Sequence, residues 1–78
     1  MWRISAILPK SLDGLGRLVA ITRRAKVEVL KMTVTTNDMR TYNVVLEIRG
    51  EPDEVNWLVA KLDKLPEILS IEQINIGP

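Results

Sequence analysis

The feature of this sequence that most limits its fold is the alternation of two hydrophobic periods along a short chain. Four segments carry the period-two alternation or the β-branched residues typical of strands. We predict these strands over residues 2–8, 27–35, 42–48 and 68–76. Apolar residues at every third or fourth position predict helices over residues 15–26 and 52–65.

The predicted order of elements is βαββαβ, a ferredoxin-like arrangement of the α+β class. Right-handed crossovers place both helices on one face of a four-stranded antiparallel sheet. The second and third strands are close enough in the sequence to form a hairpin. A chain of 78 residues is long enough for one domain and too short for two, so we expect residues 1–78 to form a single domain.

Each predicted helix has an apolar stripe and a recognisable start. The stripes consist of Leu15, Leu18, Val19 and Thr22 in the first helix, and of Val55, Leu58, Val59, Leu62 and Leu65 in the second. Residues 10–14 form a loop in which Ser11 or Asp13 is the N-cap of the first helix. Pro52 suits the first position of the second helix, and Pro66 ends it.

The composition excludes several kinds of chemistry. The chain has no cysteine and no histidine, so disulfides, thiolate metal sites, imidazole ligands and histidine-based catalytic triads are impossible within it. It also lacks phenylalanine, and aromatic residues make up 4% of the chain, so the core must be aliphatic. A core of this size gains appreciably from a further packing partner.

Charge and hydropathy restrict partners and compartment. Eleven Lys and Arg against ten Asp and Glu give a formal net charge of +1, whereas nucleic-acid binders usually show a marked basic excess. The third strand carries only Tyr42 as an aromatic for stacking bases. No apolar run approaches the roughly 20 residues of a membrane span, and no signal-peptide segment is recognisable. We therefore expect a cytoplasmic protein that binds neither nucleic acid nor membrane.

Catalytic chemistry finds little support in the residues. General acid–base catalysis needs carboxylates gathered in a cleft, whereas Asp13, Glu28, Glu47 and Glu72 are scattered singly along the chain. Gly14 and Gly16 supply only a fragment of a phosphate-binding loop. We expect no catalytic residue, no metal site and no cofactor in this chain. A small enzyme of ferredoxin-like fold stays a third hypothesis, which turnover by the isolated chain would support.

The face of the sheet away from the helices is predicted to be unusually apolar. Its apolar side chains are predicted to be Ile7, Val27, Val29, Val45 and Ile74. Because a solvated face does not require them, we predict a homodimer joined through a sheet edge or through this face. Trp57 lies off the centre of its helix stripe, so it either covers the edge of the domain or anchors a partner.

Short motifs add a resemblance to a known family. Leu15-Gly16-Arg17-Leu18 follows a glycine-containing loop and is similar to a Leu-x-Arg-Val helix motif, and Met32-Thr33-Val34 is similar to a Leu-Thr-Val strand. Residues 42–48 and the Leu62-Asp63-Lys64-Leu65 ending of the second helix fit the same pattern. Together they resemble the ACT domain, a small regulatory module that binds amino acids, and more narrowly the short type of acetolactate synthase small subunit.

The resemblance implies a function on a partner chain. It implies a non-catalytic regulatory subunit that activates the large subunit of acetolactate synthase and conveys feedback by valine, leucine or isoleucine. Thiamine diphosphate, flavin and magnesium would belong to the large subunit. The alternative is a stand-alone ACT-type amino-acid-binding module that regulates another enzyme. Co-purification with a large thiamine-dependent partner separates the two hypotheses.

The same resemblance points to an effector site at the first loop. The family's Asn-x-x-Gly loop is matched by Ser11 and Gly14 after a shift of one residue, and Glu28 stands where the family has Asn. We expect Ser11, Asp13, Gly14 and Leu15 to line the site, with Glu28 from the adjacent strand or from a partner chain. Main-chain N–H groups at the helix start would hold the carboxylate, while Asp13 or Glu28 would receive the ammonium group.

Overall fold

The computed structural model describes residues 1–77 and contains the six elements that the sequence predicts. They are β1 (Trp2–Pro9), α1 (Leu12–Arg24), β2 (Glu28–Thr35), β3 (Thr41–Arg49), α2 (Pro52–Asp63) and β4 (Ser70–Asn75). The predicted βαββαβ order is confirmed, and element bounds differ from the predicted ones by three residues or fewer.

The four strands form one antiparallel sheet in the order β2-β3-β1-β4. β1 pairs with β3 from Trp2 opposite Ile48 to Pro9 opposite Thr41, and its other edge pairs with β4. We call the end of the sheet at which β1 and β2 finish, and at which β3 and β4 begin, the upper end. α1 therefore runs from the upper end to the lower end, and α2 runs back.

The core lies between the sheet and the two helices and is aliphatic, as the composition predicts. Its buried hydrophobic residues are Ile4, Ala6, Leu8, Leu18, Ala25, Val44, Leu46, Ile48, Val55, Leu58 and Leu62. The even-numbered residues of β1 and β3 face the helices, which follows from the period of two in a strand. Burial of such side chains supplies most of the free energy of folding.

The helix ends follow local capping chemistry. The Ser11 hydroxyl accepts a hydrogen bond from Gly14 N at 3.3 Å, so α1 begins at Leu12, three residues earlier than its apolar stripe predicts. Pro52 occupies the first turn of α2, as predicted. α2 ends at Asp63, before the predicted stop, although Leu65 still packs against the core. Neither helix in residues 1–77 is long and apolar enough to cross a membrane.

The prediction for the helix-free face is wrong at two positions. Val29 pairs with the buried Ile48 and therefore points to the helix side, and Val27 precedes β2 and packs against the core. The cause is a register shift between Val29 and Lys31, where Leu30 is an extra residue that reverses the alternation along β2. An unbroken alternation would have put Val29 on the opposite side from Met32.

The helix-free face is more polar than the sequence predicts. It retains Ile7, Val45 and Ile74, and it also carries two ion pairs. Arg3 Nη2 lies 3.5 Å from Glu47 Oε2, and Arg49 Nη1 lies 3.4 Å from Glu28 Oε1. Charged and apolar side chains thus alternate across this face, which weakens the argument that a partner covers it.

Candidate functional site

Four of the five predicted site residues meet at the upper end, where β1 passes into α1. Ser11 is the N-cap of α1, and Asp13 is exposed in its first turn. Gly14 is buried, and Leu15 is half-buried against the core. The first turn of a helix presents main-chain N–H groups without helical partners, so this cluster offers donors to a small anion.

Gly14 is the position at which the start of α1 packs most closely on the rest of the domain. A Cβ atom built there would lie 3.3 Å from Leu8 Cδ1 and 3.5 Å from Glu67 Cγ. A Cβ atom at Gly16, half a turn further along α1, would meet nothing within 4 Å. The two glycines of the loop sequence therefore differ in role, because only Gly14 permits a close approach.

The fifth predicted residue, Glu28, lies at the lower end. It begins β2 and pairs with Arg49 while remaining exposed. α1 has 13 residues and so places about 20 Å between its start and its end. Within one chain, Glu28 is therefore not part of the cluster at Ser11 and Gly14.

The structure adds to the cluster two residues that were not among the predicted site residues, Arg17 and Glu67. Glu67 lies in the link between α2 and β4, and its Oε2 forms an ion pair with Arg17 Nη1. Both carboxylate oxygens of Glu67 are shielded from solvent, whereas 60% of the Arg17 side chain is exposed. No spacing in the sequence identifies this pair, because tertiary packing alone brings the link against α1.

Two main-chain hydrogen bonds fix the surroundings of the cluster. Lys10 N donates to Arg40 O at 2.9 Å and joins the loop to the β2–β3 turn. Leu69 N donates to Ile7 O at 2.8 Å and holds the link before β4 against β1. The three connections at the upper end are thus attached to one another, which gives the start of α1 a defined backbone.

The β2–β3 turn is stabilised by a carboxylate. Asp38 Oδ1 accepts hydrogen bonds from Arg40 N at 2.9 Å and Thr41 N at 3.0 Å. These main-chain donors favour the charged form and lower the pKa of Asp38 from its ordinary value of 3.8. Because the perturbed carboxylate already serves the turn, its pKa is explained without catalysis.

Trp57 adopts a position between the two alternatives that the sequence left open. It stands on α2 with 37% of its surface exposed, so the ring is neither fully covered nor fully free. Lys61 Nζ lies 5.9 Å from the ring centroid, within the range of a weak cation–π interaction. This contact occupies part of the exposed ring and gives it an intramolecular role.

The cluster has binding groups without an enclosed cavity. Across residues 1–77, one chain forms no pocket for a small molecule. The same residues contain no group of three or more acidic side chains that could hold a metal ion.

The architecture is that of a small ferredoxin-like domain with a buried glycine in the first turn of α1. A sequence model of the ACT domain matches residues 10–71, and the chain belongs to the ACT domain family. A search of curated protein sequences finds no match.

Solved structures share the same fold at low sequence identity. The ACT domain from GTP pyrophosphokinase of Chlorobium tepidum has a TM-score of 0.81 and 14% identity, over 94% of this chain and 95% of that one. The acetolactate synthase small subunit from Thermotoga maritima has a TM-score of 0.78 and 14% identity. The match covers 99% of this chain and 48% of that subunit. These similarities establish the fold, which many functions share.

Proposed function

We propose that this chain is a regulatory subunit that binds the large catalytic subunit of acetolactate synthase and raises its activity. The observation that carries the proposal is that 99% of the chain superimposes on an acetolactate synthase small subunit. The motif at residues 15–18 and the helix ending at residues 62–65 point to the same family. Catalysis, with its cofactors, then belongs to the partner chain.

Co-expression with a large thiamine-dependent synthase tests this proposal. We expect the two chains to co-purify and the synthase activity to rise with added subunit until the complex is saturated. A synthase that neither binds the chain nor responds to it would contradict the proposal. The alternative is a stand-alone amino-acid-binding module that regulates another enzyme. The similarity to the isolated ACT domain of a GTP pyrophosphokinase supports that alternative.

The proposed subunit acts as a homodimer joined through the β2 edge. All eight residues of β2 are exposed, and one edge of the strand has no partner strand among residues 1–77. Val29, Met32 and Val34 project from its helix side with 38 to 42% of their surface exposed. An unpaired apolar edge of this kind favours pairing with a second strand.

Antiparallel pairing of two β2 strands would also change the effector site. It would bring the start of one β2 beside the end of the other, so Glu28 of the partner subunit would approach the upper end. The proposed site then combines Ser11, Asp13, Gly14 and Leu15 of one chain with Glu28 of the partner subunit. Main-chain N–H groups would hold the carboxylate of valine, leucine or isoleucine, and an acidic side chain would receive its ammonium group.

Calorimetric titration with the three amino acids tests the site, and the two glycines provide a matched pair of variants. We expect Gly14→Val to abolish binding because its side chain would enter the contact with Leu8 and Glu67. Gly16→Val introduces the same β-branched residue into the same helix at an open position and should retain affinity. Equal affinities of both variants, or no binding heat with any of the three amino acids at millimolar concentration, would contradict the proposed site.

A further inference from the structure

The ion pair between Arg17 and Glu67 lies over the first turn of α1, and we call this arrangement the closed state. Glu67 Cγ and Cβ lie 3.5 and 3.6 Å from the position that a Gly14 Cβ would take. The stem of Glu67 thus covers Gly14, and its carboxylate reaches the guanidinium one turn further along the helix. The chain thus places one of its own carboxylates beside a cation one turn along α1 from Gly14.

The bonding of Glu67 is incomplete for a shielded carboxylate. Among residues 1–77, no donor forms a hydrogen bond with Oε1 or Oε2, although both atoms are shielded from solvent. A shielded oxygen without a donor loses its hydration without replacement, which opposes the closed arrangement. Arg17 is largely exposed, and ion pairs with such a partner contribute little to stability. The contact therefore separates at low cost.

We infer that Arg17 is a receptor for a small monocarboxylate and that Glu67 is its intramolecular competitor, an autoinhibitory contact that a ligand must displace. The inference rests on the proposed function for the identity of the natural ligand, an amino acid. The competition between Glu67 and a carboxylate ligand does not depend on that proposal. In the closed state Glu67 pairs with the guanidinium of Arg17, and its stem covers Gly14.

Glu67→Ala tests the competition, because it removes a group that acetate closely matches in size and charge. We expect sodium acetate, compared with sodium chloride at equal ionic strength, to raise the melting temperature of this variant in a saturable way. At a concentration tenfold above the dissociation constant, the shift should be roughly 5 to 10 °C. Wild type should show a smaller acetate-specific shift at the same acetate concentration, because acetate must first displace Glu67.

Two controls assign the effect to Arg17 and to the position of Glu67. Adding Arg17→Met to Glu67→Ala should abolish the acetate response. Glu72→Ala, which removes an exposed carboxylate from β4, should respond to acetate no more than wild type does. An acetate response that is equal in all variants, or absent from Glu67→Ala, overturns the inference.

A second variant covers the case in which Glu67→Ala does not fold. Glu67→Gln keeps the volume and removes the charge, so the Arg17 Nε–H resonance should respond to lower acetate concentrations in this variant than in wild type. A fixed resonance in both overturns the inference. Titration with valine then tests the inference about Arg17 and Glu67 separately from the proposed function. Acetate binding without valine binding in any variant supports the competition and contradicts the proposed amino-acid effector.

Discussion

β2 and β3 are hydrogen-bonded neighbours with similar apolar side chains on the same face, yet their environments are opposite. In β3, Val44 and Leu46 are 1% exposed. Their partners across the ladder, Val34 and Met32, are both 38% exposed. The two strands thus differ in burial, although their hydrophobic patterns predict the same burial for both.

The difference arises from where the helices lie. α1 packs against β1 and α2, and α2 packs against β4, whereas β2 is at the sheet edge and packs mainly on β3. Two helices of 13 and 12 residues do not cover four strands equally. The apolar side chains of β2 therefore stay exposed in the single chain, and this exposure is the physical basis of the proposed dimer.

The largest expected effect comes from truncating paired residues on the two strands. Leu46→Ala should lower the free energy of unfolding by roughly 2 to 5 kcal/mol, because it leaves a cavity in the core. Met32→Ala, directly across the ladder, should cost less than about 1 kcal/mol in the monomer, because its side chain is already partly hydrated. Denaturant unfolding at low protein concentration measures both. Similar losses would show that β2 is covered within one chain.

A smaller effect should separate folding from association. Val34→Lys places a charge on the helix side of the β2 edge and should raise the dimer dissociation constant about tenfold or more, equivalent to about 1.4 kcal/mol. Thr35→Lys adds the same charge on the other face, next to Val34, and is the control. Sedimentation equilibrium measures the two constants. A wild-type chain that is monomeric at micromolar concentration and above would contradict the dimer.

The smallest expected effect concerns the turn that connects the two strands. The pKa of Asp38 is lower in the folded state, so its contribution to stability is present above the ordinary pKa of 3.8 and is lost as the pH falls through the folded value. Asp38→Asn should remove this acid-dependent loss and weaken the turn at neutral pH. Measuring the free energy of unfolding across the acidic pH range tests this prediction. Asp63→Asn, which changes the charge by the same amount, is the control. An unchanged pH profile in Asp38→Asn would contradict this assignment.

Strong local patterns predicted most of the fold. The stripe containing Leu18 and the alternation through Leu46 give the correct elements and faces, because each period matches one backbone geometry. The start of α1 was placed too late, since the cap at Ser11 extends the helix beyond its apolar stripe. The bulge at Leu30 was missed because an extra residue in a ladder leaves no mark in a segment that is apolar on both sides.

The candidate site was predictable only in part. Ser11 and Gly14 are three residues apart in the sequence, and the hydrogen bond of a helix N-cap brings them together. Glu67 was not predictable, because it reaches Gly14 from a link whose path depends on where α2 ends. Glu28 was assigned from the resemblance, and the single chain leaves it at the other end of α1.

The sequence by itself determined the order of elements, the aliphatic core and the absence of thiol and imidazole chemistry, because periodicity and composition act locally and need no knowledge of packing. Tertiary structure decided which apolar residues are covered and which polar groups meet. Burial at Leu46 and exposure at Met32 depend on the limited area of two helices over four strands. The contact between Arg17 and Glu67 exists because folding closes a long loop, and the sequence records no spacing for such a contact.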